Sequence, residues 1–175
     1  MTIRTFKGVS PEIPDSAFVD ETALVIGKAT LGEHVSIWPM TVIRADVNTI
    51  RIGDYTNIQD GTVLHVNHSS PTNPDGDPLT IGEYVTVGHQ ALIHACTIGN
   101  HCLIGMGATV MDNAVIEDNV ILGAGSLVSP NKVLESGLWV GRPAVKKRDL
   151  TEDEIKMLKY SATHYAELAD EHKNG

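Results

Sequence analysis

The stretch IGEYVTVGHQALIHACTIGNHCLIGMGATV, Ile81 to Val110, sets an aliphatic residue at every sixth position. Ile81, Val87 and Ile93 lead, after the loss of one residue, into Ile98, Ile104 and Val110. A period of six is neither the 3.6 of a helix nor a sustained two-residue alternation. Followed backwards, the series runs through Ile13, Val19, Val25, Leu31, Ile37 and Ile43, breaks at Thr49 to Arg51, and resumes at Ile52, Ile58 and Leu64. Forwards, it continues through Ile116, Leu122, Val128, Leu134 and Val140. Small residues such as Ala17, Ala23, Ala29, Val35, Thr41 and Val47 recur at the fifth position. Such a pattern predicts a solenoid of short strands, with an aliphatic side chain filling each corner of a narrow interior. Stacking of coils then buries what one unit cannot bury alone. The expected domain is mainly β and spans 1–150, with SPTNPDGDPLT at 70–80 as an excursion off the coil.

Beyond it, GRPAVKKRDL leads into TEDEIKMLKYSATHYAELADEHK, predicted as one α-helix over 151–173 packed on the β-domain. Thr151 and Glu154 have the spacing of a capping box. Ile155, Leu158, Ala162, Tyr165 and Leu168 mark one helical face, to be buried on the solenoid of its own or a neighbouring chain. A net charge of −9, from 13 basic and 22 acidic residues, argues against nucleic acid as partner. With no bilayer-length apolar run and no signal-like N-terminus, the expectation is a soluble, cytoplasmic protein without membrane association. Cys96 and Cys102 lack C-x-x-C spacing, so neither a disulfide framework nor a thiolate zinc site is expected. Cys102, at a small fifth position, should point into the coil.

Counting hexads brings distant histidines together. Leu64 and Ile93 open units three apart, which is one full coil, and His65 and His94 each follow at the second position. They should stack on one face at the spacing of neighbouring strands, about 4.8 Å, as two ligands of one ion. His89 takes the third position of its unit and belongs to another face. A neighbouring copy in a three-fold assembly could supply it across an interface. His34 and His101 sit in turn-like contexts, His164 and His172 in the helix, and His68 opens the excursion next to His65.

VIRADVNTIRIGDYTNIQDGTVLHV (42–66) together with the opening stretch resembles the γ-class carbonic anhydrase family, and within it a bacterial YrdA-like group. The resemblance spans nearly the whole chain, terminal helix included. It implies hexapeptide repeats in a left-handed parallel β-helix with triangular coils, and a homotrimer whose metal is held by His65 and His94 of one chain and His89 of the next. Zinc is the implied metal, with cobalt or iron as alternatives in the same site. The implied reaction is reversible hydration of carbon dioxide to bicarbonate by metal-bound hydroxide, as a carbonate dehydratase-like lyase. Gln59 would hydrogen-bond the hydroxide or substrate, Asn57 would orient it, and Tyr165 matches a tyrosine near the metal. Arg44 and Asp46 would form an inter-subunit ion pair, and Asp60 would help hold the trimer.

The chain departs from active members at two places. They carry a glutamate immediately after the R-x-D aspartate, where this sequence has Val47. They also carry a glutamate shuttle in the loop after the first histidine, which here reads NHSSPTNPDGDP. Hydration must export a proton each turnover, so low or latent activity is expected. His68 could substitute, because an imidazole titrates near neutrality, as could Asp75 or Asp77. Two other functions fit less of the pattern: a non-catalytic metal-binding or assembly module, and a hexapeptide acyltransferase, which needs one histidine base and no metal.

Overall fold

The computed structural model describes residues 2–175. It is a left-handed parallel β-helix with three faces, closed by one terminal helix. The first face stacks the start of Val42–Ile52 on Val63–His65, Leu92–His94, Thr109–Val110 and Leu127–Val128. The second continues from the end of the same long strand through Leu79–Ile81, Thr97–Ile98, Val115–Ile116 and Val133–Leu134. The third runs from Phe18–Val19 through Ser36–Ile37, Asn57–Ile58, Thr86–Val87, Leu103–Ile104 and Val120–Leu122 to Gly137–Val140. All these pairings are parallel, so each coil repeats the one before it.

The inward positions are the hexad leaders. Ile37, Ile43, Ile58, Leu64, Val87, Ile93, Ile104 and Ile116 have no exposed surface. At the corners the chain turns through left-handed backbone, and one corner does so with rings. His34, Tyr55, Tyr84 and His101 have φ between 52° and 56°. They stack ring on ring at 4.8, 4.9 and 5.2 Å. His34 and His101 are therefore structural, as their turn contexts suggested.

Three details differ from the hexad count. The extra residues are not Thr49 to Arg51, because Ile50 is fully buried and pairs with Ala29 and Leu79. Instead Asp46, Val47, Asn48 and Thr49 bulge out opposite the single residue Lys28. Val47 is thus not an inward fifth residue, and 42% of it is exposed. Gly27 opens the bulge at φ 75°, where a Cβ would lie 2.4 Å from the Ala45 carbonyl oxygen. The excursion ends sooner than 80, since Leu79–Ile81 is strand and Leu79 is buried. At the far end Trp139, not Val140, stacks on Leu122, because the turn between Leu134 and Gly137 is one residue shorter than in the coil before it. The antiparallel strand Val145–Arg148 covers that end.

The helix runs Glu152–Asn174 behind the Thr151–Glu154 capping box. It lies on the third face of its own chain, against the strands at Phe18, Ser36, Asn57 and Thr86. The buried face is Leu158, Ala162, Ala166 and Ala169, and Ile155 is 41% exposed. Small side chains let the helix approach the sheet closely, so the apolar stripe turns away from Ile155. Among the described residues no helix is long and apolar enough to cross a membrane.

Two expected outcomes follow from this packing. Hydrogen bonds from Arg148 and from the Thr151 backbone pull Glu154 from its usual 4.5 to about 2. A depressed carboxylate adds stability above its unfolded pKa and loses it as pH falls through the folded value. The stability gap between the native protein and Glu154→Gln should therefore narrow from pH 4.5 downward and close near 2, measured by far-UV circular dichroism. Burial pushes the Cys102 thiol up to about 12 and Cys96 further still. Both are buried and should resist thiol reagents until the protein is denatured. Fast native modification of Cys102 would contradict the inward placement.

Candidate metal centre

His65 and His94 end neighbouring strands of the first face and are register partners. His65 Nδ1 lies 3.2 Å from His94 Nε2, and the ring centroids are 5.2 Å apart. One-coil stacking thus brings together residues 29 apart in sequence. His94 Nδ1 is 2.5 Å from Asp112 Oδ1, and an Nδ1–H donated to that carboxylate leaves Nε2 as a free lone pair. His65 Nε2 lies 3.3 Å from Asp46 Oδ1. Burial holds the His65 pKa below its usual value, and the charge of Arg44 acts the same way, so the ring is neutral as a ligand must be.

His89 sits elsewhere. It lies in the turn between Thr86–Val87 and Leu92–His94, at the opposite edge of the first face. Its Nδ1 is 2.9 Å from Asp60 Oδ2, which again frees Nε2 and aims an oriented imidazole outward. Among the described residues no three histidines, cysteines or carboxylates are placed to hold a metal ion together within the chain. The donor chemistry fits a zinc-type ion shared by two such halves: imidazoles, each backed by a carboxylate.

Gln59 is 5% exposed, next to Asp60. Its Nε2 donates to Asn57 Oδ1 at 3.1 Å, and Asn57 Nδ2 donates to Thr86 Oγ1 at 3.0 Å. Thr86 and Ser161 hydroxyls meet at 3.1 Å, tying this chain of hydrogen bonds to the helix. Tyr165 packs edge-on against Trp38 at 5.7 Å. With Gln59, Thr86 and Ser161 it lines a mostly apolar cavity of about 320 Å³. Burial and the nearby Asp60 charge raise the Tyr165 pKa, which keeps its hydroxyl protonated. Tyr165 and Gln59 therefore share the His89 side of the molecule.

The Arg44–Asp46 ion pair, expected between subunits, closes within the chain at 2.7 Å, because two residues on one outward strand segment reach each other directly. Burial works to raise the Asp46 pKa, but hydrogen bonds from Arg44 and His65 outweigh it and hold the carboxyl below the usual range. Asp60 is engaged by His89. His68 is exposed and lines a cavity of about 480 Å³ with Asp46 and Val47. Asp77 is held by Asn67 and Asn73 inside the excursion, and Asn48 holds the Asp75 backbone carbonyl.

The sequence reading missed Asp112, Asn67, Thr86 and Ser161. Asp112 had a signal: it is the third residue of the unit one coil beyond His94. Asn67 donates to both Asp112 and Asp77, so it ties the excursion to the histidine pair.

A parallel β-helix of hexads with outward histidines in coil register defines a hexapeptide-repeat protein. Residues 95–130 match the bacterial transferase hexapeptide (six repeats) family. Protein YrdA of Escherichia coli K12 is 50% identical over 171 residues, 97% of this chain and 93% of its own. A carbonic anhydrase of Geobacillus kaustophilus is 41% identical over 172 residues, 98% of this chain and 91% of its own. A solved hexapeptide transferase family protein from Anaplasma phagocytophilum superposes with a TM-score of 0.88 at 43% identity, covering 97% of this chain and 96% of its own. The chain belongs to the hexapeptide-repeat family of YrdA and the γ-carbonic anhydrases.

Proposed function

We propose that this protein is a γ-carbonic anhydrase-like metalloprotein, assembled as a homotrimer, which hydrates carbon dioxide reversibly to bicarbonate. Its metal is zinc, with cobalt or iron as alternatives, held by His65 and His94 of one chain and His89 of the next. One observation carries the reading. The two half-sites flank a single outward, largely apolar face whose row is Val42, Val63, Leu92, Thr109 and Leu127, half-buried in the single chain except for Leu92, which is 43% exposed. An apolar sheet face between two oriented half-sites calls for cover by another copy. Three-fold closure supplies the same pairing at every interface.

Zinc bound there would act as a Lewis acid and lower the pKa of a coordinated water to about 7. Asp60 and Asp112 fix the tautomers of His89 and His94. Asn57, Thr86 and Ser161 hold Gln59 in place, so its amide can orient a substrate oxygen without reorganising. Tyr165 offers a protonated hydroxyl at the wall of a largely apolar cavity suited to carbon dioxide. The exported proton passes to His68, at the rim beside Val47.

A second reading, a metal-binding assembly module without turnover, is favoured by Val47 and by the engagement of Asp46 and Asp77 in local hydrogen bonds. The solved transferase relative makes an acyltransferase the third. Stopped-flow hydration of zinc-loaded protein, with an esterase control and metal analysis, separates them. Slow, buffer-dependent hydration is expected. Stoichiometric zinc without hydration would select the module, and failure to bind metal would sink both metal readings.

A further inference from the structure

We propose that Lys7 and Lys28, with His68, form a binding site for a small oxyanion of the carboxylate type at the mouth beside Asp46 and His65. It rests on the hydratase reading only for the identity of that anion as bicarbonate. The cavity of about 480 Å³ is lined by Lys7, Lys28, Asp46, Val47, His68 and Ser69, roofed by Phe6 and Val9. Among the described residues neither lysine is paired with a carboxylate, whereas Lys146 and Lys156 are. The one carboxylate on the wall, Asp46, is already matched by the Arg44 guanidinium. In a chain of net charge −9, this mouth is therefore locally cationic, and it can attract an anion.

Both lysine side chains are exposed, and it is the backbone carrying them that is fixed at the cavity. Phe6 and Val9 exchange backbone hydrogen bonds at 2.9 and 3.0 Å, which closes a two-residue turn at Lys7 and Gly8. Both central residues are left-handed, with φ 48° at Lys7 and 80° at Gly8. That geometry favours asparagine or glycine at the first position, so a lysine there is held against its preference. The Lys7 ammonium lies 5.4 Å from the Phe6 ring centroid. Lys28 stands opposite the Asp46 to Thr49 bulge that opens the cavity. The volume suits an anion of a few heavy atoms together with water. Two ammonium groups and the Ser69 hydroxyl supply donors to its oxygens, as an oxyanion requires.

The test is the rate of lysine acetylation in the whole protein, read residue by residue by mass spectrometry, with zinc-free and zinc-loaded samples. Bicarbonate, acetate and chloride are compared at equal ionic strength. An occupant present at about ten times its dissociation constant lowers the free fraction about tenfold. Bicarbonate should therefore slow Lys7 and Lys28 by up to that factor and leave Lys156 unchanged. Protection by bicarbonate alone would mark a substrate or product site, and protection by acetate as well a general small-carboxylate site. Lys28→Gln should abolish the protection of Lys7. Equal rates in all three salts, or equal protection by chloride, would overturn the proposal. Protection in zinc-free protein stands even if hydration fails, so the two readings fail separately.

Discussion

Zinc retained after dialysis is expected to fall from about one ion per chain to near zero in His94→Ala. Three imidazoles with an open position form a catalytic zinc set, and removal of one leaves too few donors for tight binding. His94 is held at both ring nitrogens: His65 lies 3.2 Å from one and Asp112 holds the other. The fold should survive, because Ile93 fills the core and His94 faces outward. Circular dichroism and melting temperature should thus stay near native while metal is lost. Asp112→Asn is the graded companion. It keeps the volume and removes the charge that orients the ring, and loss of such a partner costs about 10- to 100-fold in metal affinity. Competition with a chelator measures both. Full zinc in His94→Ala would remove that histidine from the centre.

The second large effect is a gain. Val47→Glu is expected to raise carbon dioxide hydration by about tenfold or more, since a positioned acid–base group contributes about 10²–10⁴. Val47 lies on the outward bulge, lines the cavity with Asp46 and His68, and makes no core contact that glutamate would disturb. Metal content should not change. In the native protein His68→Ala should lower turnover, and imidazole buffer should restore part of it. Fast native hydration, insensitive to His68→Ala and to buffer, would move the proton path to Asp75, Asp77 or Tyr165.

The period of six was enough to place His65 against His94, because parallel coils carry register across the excursion between them. The same count could not see where a strand bulges. Ile50 and Ile52 are both apolar and two apart, and only pairing with Ala29 and Leu79 shows that the extra residues are Asp46 to Thr49. The helix was legible from its capping box, but its buried side was not. Ala162, Ala166 and Ala169 carry little hydrophobic signal, yet their small size decides how the helix seats on the third face. The carboxylate behind each histidine was half legible. Asp60 was read as an interface residue rather than as the partner of His89, and Asp112 was passed over although the coil count puts it one coil beyond His94.

The claim that one metal centre is built from two chains is tested most directly by mixing His89→Ala with His94→Ala subunits and measuring zinc in the reassembled protein. Each variant alone should bind almost none. In a random mixture an intact site needs a His89→Ala chain to give His65 and His94 and a His94→Ala chain to give His89. That combination occurs at about a quarter of the interfaces of a cyclic assembly. Zinc near a quarter of the native level, in a species about three times the 18.8 kDa chain mass, is the predicted result. No zinc in the mixture, or zinc bound by an 18.8 kDa monomer, would contradict a centre shared between chains.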